Sequence, residues 1–351
     1  MTGRVPDEPA LVVIKPSPLN AETPVPALAA PVTPGPQVYV RSNFATPALD
    51  PDHHRLTIDG AVDAAFDIGV ADLRALPQHT VVTTMECAGN DRLAMRPLPA
   101  GEPWQSGALS TVRWSGVPLA ALLARAGVRP DAIEIVAAGA DAGPRDDADG
   151  PVRFARSIPL DTALHSDTML ALAMNDEPLT PAHGAPVRLV VPGWYGMASV
   201  KWVARIEAVT APFDGYFQTR RYVYTSGAGT TPVDLMRVKS IIVAPVDGAL
   251  LDSPTIDVWG WAWSGAGAIV RVEVAGEGGE AWHDAVIEPP ASPHAWSRWR
   301  ATLTLRGPGR HALRSRATDA SGAVQPDEPG WNVLGYGNNA VRTVVVEVRG
   351  R

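Results

Sequence analysis

The last third of the chain consists of short β-like runs separated by turns rich in Gly, Pro and Asp. In the run at 296–305, apolar side chains at every second position from Trp299 to Leu305 alternate with Arg and Thr side chains from Arg298 to Thr304. This period of two is typical of a half-buried strand. Seven such runs after Lys239 predict an all-β, immunoglobulin-like sandwich.

From Val38 to about Met236, short β-like runs are interleaved with brief helical patterns, which predicts an α+β domain. The clearest helix is predicted over Pro118–Ala126, because Pro begins it, leucines recur on one face and Gly127 follows it. The change in pattern near residue 238 divides the chain into domains at 1–236 and 237–351.

Residues 1–36 contain nine of the 34 prolines. This spacing excludes a helix and favours extended or polyproline backbone. We therefore expect an extended, proline-rich arm that lies on the rest of the molecule.

A chain of 351 residues with 46% hydrophobic and 19% charged residues is expected to fold as two globular domains. Its formal net charge of -7 argues against nucleic-acid binding and against docking on an anionic membrane. No apolar stretch approaches the roughly 20 residues of a membrane span. No signal peptide or twin-arginine signal is visible, so we expect a cytoplasmic protein, or a periplasmic one if a leader has been removed.

A single cysteine excludes a disulfide framework and CxxC metal sites. The eight histidines show no HExxH spacing, which argues against a hydrolytic zinc site. The segment GYGNNA at Gly335 has the glycine spacing of a dinucleotide-binding loop, but too few residues follow it for the rest of that fold. The Asp-rich stretch at 141–150 lacks the spacing of a calcium loop and is interpreted as a solvated loop.

Cys87 follows the β-branched run Val81–Thr84 and precedes the turn Ala88-Gly89-Asn90 and Arg92. This order predicts a side chain presented at the end of a strand. A lone cysteine is more often a small buried apolar residue than a reactive one. A nearby arginine favours the thiolate, which is a soft ligand suited to a heavy, oxidisable metal. The residues alone leave both interpretations open.

The run MECAGNDR, followed by PWQSGALSTVRWSGVPLAALLARAG, resembles the molybdenum domain of sulfite oxidases. The segments YVRSNF, AMNDEPLTPAHGAPVRLVVPGWYGMASVKWVARIEA and FQTRRYVY occur in that family's order. QPDEPGWNVLGYGNN resembles the immunoglobulin-like dimerisation domain that accompanies the molybdenum domain. The resemblance covers nearly the whole chain.

The resemblance implies molybdenum bound by one molybdopterin, with Cys87 as the only protein ligand. It also implies an anion pocket above the metal, which is formed by Arg41, Arg92, Trp104 and Tyr222. The positions that match residues holding the pterin and its phosphate are Tyr39, Asn43, Asp141, His183, Arg188, Gly193, Gly196, Ser199 and Lys201. Without the resemblance, these residues would be read as surface charges, an ordinary polar network and turn glycines.

Three features depart from the animal and plant enzymes of the family. Leu334 stands where they carry an arginine, and Asn43 stands where they usually have histidine. A haem or flavin domain is also absent from the sequence. These departures weaken a sulfite assignment more than the cofactor assignment.

The resemblance implies two-electron oxygen-atom transfer, most simply the oxidation of sulfite to sulfate with an external electron acceptor of unknown identity. A homodimer is expected, because Trp259, Trp261 and Trp263 alternate on one strand face that one small sandwich would not cover. Two alternatives remain. The chain acts on another small oxo-compound (a sulfoxide, nitrate or carrier-bound sulfur), or it is a metal-free binding module that retains the fold.

Overall fold

The computed structural model describes residues 11–226, 229–276 and 281–350. Residues 1–10 of the expected arm therefore lie outside the described residues. The N-terminal part is built mainly of strands, which are β1 (Val12–Pro16), β2 (Leu19–Glu22), β3 (Val40–Arg41), β4 (Arg55–Gly60), β5 (Phe66–Gly69), β6 (His79–Glu86), β7 (Leu109–Pro118), β8 (Glu134–Gly143), β9 (Val152–Pro159), β10 (Met169–Met174), β11 (Glu177–Pro178), β12 (Arg188–Val190), β13 (Val203–Val209), β14 (Val223–Ser226) and β15 (Gly229–Pro232).

Two five-stranded sheets dominate this part. One has the order β11-β10-β7-β6, with β12 also paired to β10, and the other has the order β5-β4-β13-β8-β9. β13 runs parallel to β4, whereas β6 and β7 are antiparallel. Short helices connect the strands and are α1 (Val70–Ala75), α2 (Leu119–Ala126), α3 (Leu160–Leu164) and α4 (Tyr216–Thr219).

Helix α2 confirms the prediction over Pro118–Ala126. Pro118 is its N-cap, and Gly127 ends it in the left-handed region at φ 67°. Leu119, Leu122 and Leu123 are buried, as their spacing on one face requires.

The C-terminal part is a two-sheet sandwich that begins at Lys239. Its strands are β16 (Lys239–Ala244), β17 (Leu250–Leu251), β18 (Thr255–Trp263), β19 (Ile269–Ala275), β20 (His283–Asp284), β21 (Val286–Ile287), β22 (Ser297–Thr304), β23 (Gly309–Asp319) and β24 (Thr343–Val348). The two sheets have the orders β16-β18-β22-β21 and β17-β24-β23-β19-β20. In β22, Trp299 and Leu303 are buried while Arg300, Thr302 and Thr304 are exposed, which confirms the predicted alternation. The expected fold class, an α+β domain followed by a sandwich, is confirmed.

The tryptophan stripe on β18 is covered by the same chain. Trp261 stacks on Trp296 with ring centroids 4.5 Å apart, and its Nε1 donates to the carbonyl of Leu28 at 2.6 Å. Trp263 Nε1 donates to Glu86 Oε2 at 3.0 Å. The expectation that these rings require a second protomer is therefore wrong, because sequence alternation could not show that the N-terminal part already buries them.

Residues 11–36 run between the two parts of the molecule. The backbone N–H of Thr23 donates to Gly107 at 3.0 Å, and that of Thr33 donates to Thr111 at 2.7 Å. On the other side, the carbonyl of Pro31 accepts from Trp296 Nε1 at 2.9 Å. Within the described residues, every helix is too short or too polar to cross a membrane.

Candidate active site

Cys87 lies immediately after strand β6, at the start of a turn. Its carbonyl accepts from the N–H of Asn90 at 2.9 Å, and its own N–H donates to Ala108 at 2.8 Å. The thiol is 5% exposed. Burial raises the pKa of this thiol above its ordinary value, and the positive charges of Arg41 and Arg92 act in the opposite direction. The predicted presentation of Cys87 at a strand end is confirmed.

A cavity opens beside Cys87, between the two five-stranded sheets and the chain around β3. Most of the residues implied by the resemblance line it together: Tyr39, Arg41, Asn43, Cys87, Asp141, His183, Arg188, Gly196, Ser199, Lys201 and Tyr222. Arg92, Trp104 and Gly193 do not line the cavity. Residues separated by more than a hundred positions thus converge on one site.

At the Cys87 end of the cavity, Arg41, Asn43 and Tyr222 form a hydrogen-bonded chain. Arg41 Nη2 donates to Asn43 Oδ1 at 2.8 Å, and Asn43 Nδ2 donates to the hydroxyl oxygen of Tyr222 at 3.1 Å. Because the Tyr222 oxygen accepts this bond, its own O–H proton remains available to a ligand. Tyr222 is 4% exposed and has a φ of 51°, an uncommon conformation for a bulky residue that often marks a functional site.

Arg145 also belongs to this group, although no sequence motif predicts it there. Its Nη2 donates to Asn43 Oδ1 at 3.2 Å, and its guanidinium lies 4.6 Å from the centroid of the Phe44 ring. It belongs to the Asp-rich stretch that was interpreted as a solvated loop. That interpretation is right for the exposed Asp146 and Asp149, but Asp141 belongs to β8 and is buried.

Two further cationic side chains, Lys201 and Arg188, line the cavity. Lys201 Nζ donates to Ser42 Oγ and to the carbonyl of Ala182, both at 2.8 Å. Arg188 donates to the carbonyl of His183 at 3.2 Å, and burial lowers its pKa to about 10, so it stays charged at neutral pH. Burial and the charge of Arg188 lower the pKa of Lys201 well below its ordinary value. A bound phosphate would favour the charged form of Lys201.

His183 is neutral in this setting, since burial and the charge of Arg188 lower its pKa to about 4. Its Nδ1 lies 2.7 Å from Thr180 Oγ1, and its Nε2 lies 3.2 Å from the carbonyl oxygen of Val38. The Ser199 hydroxyl oxygen accepts from the N–H of Val191 at 3.1 Å. Both side chains therefore fix the shape of the cavity wall.

Several buried polar atoms of the cavity wall have no hydrogen-bond partner. They are Asp141 Oδ1, Arg188 Nε and Trp114 Nε1. Burial also raises the pKa of Asp141 to about 6. Such atoms are costly to leave unpaired, so they indicate a polar ligand that supplies donors, acceptors and negative charge. A molybdopterin with its phosphate fits this set, and the Cys87 thiolate is a suitable soft ligand for its metal.

The two glycines assigned to cofactor binding differ. A Cβ on Gly196 would lie 2.5 Å from Tyr39 Oη and 3.2 Å from Met85 Cγ, so glycine keeps the cavity wall open. Gly193 has a φ of 81° and packs against Gly265 of the sandwich, away from the cavity. The expected approach of Gly193 to the cofactor is not seen, because the turn around it faces the domain boundary.

Arg92 and Trp104 support the Cys87 turn from behind. Arg92 Nε donates to the carbonyl of Leu334 at 3.1 Å, and Arg92 Nη1 donates to the backbone carbonyl of Glu102 at 2.8 Å. Trp104 is fully buried in the same apolar cluster as Cys87. Of the four residues implied for the anion pocket, Arg41 and Tyr222 line the cavity, whereas Arg92 and Trp104 do not.

Tyr336 is a further neighbour that the sequence did not single out. Its ring stacks on Tyr222 with centroids 5.1 Å apart, and the Arg92 guanidinium lies 5.1 Å from its centroid. It belongs to the GYGNN segment, whose Gly337 N–H donates to Ala88 at 2.8 Å. The segment rejected as a dinucleotide-binding loop thus holds the Cys87 turn against the sandwich.

Both domains of the chain match family models. Residues 43–217 match the oxidoreductase molybdopterin binding domain, and residues 231–349 match the Mo-co oxidoreductase dimerisation domain. The chain is 34% identical to sulfite oxidase of Gallus gallus over 95% of this chain and 77% of that protein. The chain belongs to the sulfite oxidase family of molybdopterin-dependent oxidoreductases. Membership implies a molybdenum–molybdopterin cofactor.

Other relatives agree with this assignment. Mitochondrial sulfite oxidase of Rattus norvegicus is 35% identical over 97% of this chain, which spans about two thirds (66%) of that protein. The crystal structure of the sulfane dehydrogenase SoxCD from Paracoccus pantotrophus superimposes with a TM-score of 0.81 at 31% identity, covering 96% of this chain and 88% of that one. The fold is therefore the same as that of the sulfane dehydrogenase.

Proposed function

We propose that this protein oxidises sulfite to sulfate and passes the electrons to a separate acceptor. The observation that carries the proposal is the position of the Arg41 guanidinium and the Tyr222 hydroxyl beside Cys87 in one cavity. A small tetrahedral or pyramidal oxyanion is well matched by a guanidinium and a neutral O–H donor.

The bound cofactor supplies the oxygen-atom transfer and takes up the two electrons. The protein's share is to hold and orient the reactants. Cys87 serves as the metal ligand, and Arg41 neutralises the substrate anion as it approaches. Asn43 fixes both Arg41 and Tyr222, so the Tyr222 O–H points its proton toward the substrate rather than toward the protein.

Lys201 and Arg188 hold the phosphate end of the cofactor in this proposal. Both side chains line the cavity, and Lys201 is already oriented by Ser42 and Ala182. Asp141 Oδ1 and Trp114 Nε1, which lack partners, would contact the polar edge of the pterin. This division gives substrate recognition and cofactor binding separate sets of residues.

Steady-state kinetics with sulfite and ferricyanide test the substrate. Each charge-assisted hydrogen bond is worth roughly 1.5 to 3 kcal/mol, so Arg41→Met is expected to lower kcat/KM about 10- to 150-fold. Tyr222→Phe, which removes one neutral donor, is expected to have a smaller effect. Arg113→Met removes an exposed arginine that pairs with Asp176 at the surface and serves as the control.

The proposal is wrong if the molybdenum-loaded wild type oxidises no sulfite. It is also wrong if Arg41→Met, loaded equally with molybdenum, retains the wild-type kcat/KM. Equal losses in Arg41→Met and Arg113→Met would point to a general charge effect instead of a local contact.

A carrier-bound sulfur group is the second candidate substrate. It is favoured by the likeness to the sulfane dehydrogenase SoxCD. By the family resemblance, the half-buried Leu334 also stands where the animal and plant enzymes carry an arginine. A site with fewer cations accommodates a larger, less charged substrate. A higher kcat/KM for a peptide carrying a cysteine persulfide than for sulfite would favour this candidate.

We also propose a homodimer formed through the sandwich domain. Support comes from the match to the Mo-co oxidoreductase dimerisation domain, and from the exposed apolar side chains Leu250, Val270 and Val286 on the sandwich. Sedimentation at micromolar concentration should give twice the chain mass. A monomer mass under these conditions would contradict the proposal.

A further inference from the structure

A cluster of three histidines and one aspartate lies where the sandwich meets the N-terminal part. Asp167 is at its centre: its Oδ1 lies 2.8 Å from His79 Nε2, and its Oδ2 lies 3.0 Å from His294 Nε2. The ring of His165 packs edge-on against that of His294, with centroids 5.9 Å apart. His79 begins β6, His165 and Asp167 follow α3, and His294 belongs to the loop between β21 and β22.

Three of these side chains have the geometry of a metal site. The ligand atoms of His165, Asp167 and His294 all lie within 4.8 Å of one another. Ligands around a tetrahedral zinc ion at about 2.0 to 2.1 Å are roughly 3.3 Å apart, so small side-chain rotations would close the group around an ion. His165 is exposed, which leaves its ring room to turn.

The backbone around the cluster is already fixed. The N–H of Thr84 donates to the carbonyl of His294 at 2.9 Å, and the Ser292 hydroxyl donates to the carbonyl of Val82. Thr84 and Val82, which make these two hydrogen bonds, both belong to β6. The loop that carries His294 is therefore hydrogen-bonded to the strand that carries His79, so only side-chain rotations are needed to bring the ligands together.

An ion-pair network alone would not account for all four residues. His79 and His294 each take one oxygen of Asp167, which satisfies the carboxylate. His165 adds a third imidazole whose Nδ1 only accepts from the backbone N–H of Asp167, at 3.2 Å. Convergence of this extra imidazole on the same point is what a coordinated cation requires.

We propose that His165, Asp167 and His294 bind a zinc ion that links the two domains, with His79 holding Asp167 in position. Two imidazoles and one carboxylate suit zinc or a similar transition-metal ion, whereas magnesium and calcium prefer oxygen ligands. The site is separate from the cavity. His79 and Cys87 mark opposite ends of β6, and eight residues of strand span roughly 26 Å.

Calorimetric titration of zinc chloride into the molybdenum-loaded protein, purified without a polyhistidine tag, tests the proposal. We expect about one equivalent of zinc bound with a Kd below about 10 μM, and no comparable binding of magnesium or calcium. Zinc should also raise the Tm, because the ion would join the two domains. Molybdenum content, measured in parallel, should not change.

Variants separate the cluster from the rest of the surface. His165→Ala and His294→Ala should each abolish the zinc-dependent rise in Tm, and His79→Ala should weaken zinc binding about 10- to 100-fold. His53→Ala is the matched control, because His53 is an exposed histidine paired with Asp50 outside the cluster. His165 is exposed, so His165→Ala is expected to fold normally.

Three results would overturn the proposal. The first is no saturable zinc binding up to about 100 μM. The second is binding that survives in both His165→Ala and His294→Ala. The third is an equal loss in His53→Ala, which would indicate non-specific surface binding.

Discussion

Replacing Lys239 by methionine should lower the free energy of unfolding of the protein strongly. Lys239 is fully buried, and its Nζ lies 2.8 Å from Glu86 Oε1 and 2.7 Å from Asp91 Oδ2. It also donates to the carbonyl of Asn338 at 2.9 Å. Glu86 and Asp91 are the acidic residues on either side of the Cys87 turn, so this lysine fastens the turn to the first strand of the sandwich.

The size of this loss follows from the partners that Asp91 and Glu86 keep when methionine replaces Lys239. Asp91 keeps an ion pair with Arg342, but Glu86 keeps only neutral donors from Asn90 and Trp263. Removing one partner from a buried ion pair costs about 3 to 5 kcal/mol. For a domain of this size that corresponds to a fall in Tm of about 6 to 20 °C.

Thermal unfolding followed by circular dichroism measures this loss. Lys15→Met provides the control, because Lys15 is 43% exposed and lies 3.4 Å from Glu102. An exposed pair contributes about 0 to 1 kcal/mol, so the control should shift the Tm by no more than about 4 °C. If Lys239→Met shifts the Tm no more than Lys15→Met does, the buried charges are not held by Lys239 and the reasoning fails.

Burial raises the pKa of Glu22 from 4.5 to about 7. Between pH 4.5 and 7 the folded protein therefore keeps a proton on Glu22 that the unfolded chain loses, so the free energy of unfolding falls as the pH rises through this range. Glu22→Gln should therefore raise the Tm at pH 8 but not below pH 4.5, and a gain that is equal at both pH values would contradict this assignment. Gly196→Ala should lower molybdopterin content, since its Cβ would crowd Tyr39 in the cavity, whereas Gly193→Ala should lower the Tm at unchanged content because its φ is 81°. Pterin release measures the cofactor content, and melting curves measure the Tm. Lower pterin content in Gly193→Ala together with a lower Tm at unchanged content in Gly196→Ala would refute the roles assigned to the two glycines.

Local periodicity accounts for what could be predicted from the sequence. Strand β22 and helix α2 each bury the face that their spacing indicates, because period and burial are properties of neighbouring residues. The presentation of Cys87 at a strand end follows from the β-branched run before it and the turn after it. The convergence of distant residues on one cavity was predictable only through the family resemblance.

Long-range packing accounts for the features that could not be predicted from the sequence. The stripe at Trp261 and Trp263 looked uncovered because its partners, Leu28 and Glu86, lie far away in the sequence. Tyr336 reaches Tyr222 only after the sandwich folds back on the first domain. No local pattern encodes such pairs.

Charged residues whose partners lie far away in the sequence could not be predicted either. Lys239 reads as the polar start of a strand, yet it neutralises two acids that are about 150 positions away. Arg145 reads as part of a solvated acidic loop, yet it reaches Asn43. The three histidines around Asp167 show no metal-ligand spacing, because they come from three separate segments.

The central claim is that the Cys87 thiolate holds molybdenum in the cavity, and X-ray absorption at the molybdenum edge tests it most directly. Wild-type protein made with molybdenum available should contain about one molybdenum per chain with sulfur neighbours from both the pterin and Cys87. Cys87→Ser should lose one of these sulfur neighbours and all turnover, while pterin remains bound by Lys201 and Arg188. An unchanged sulfur count and full activity in Cys87→Ser would contradict the account.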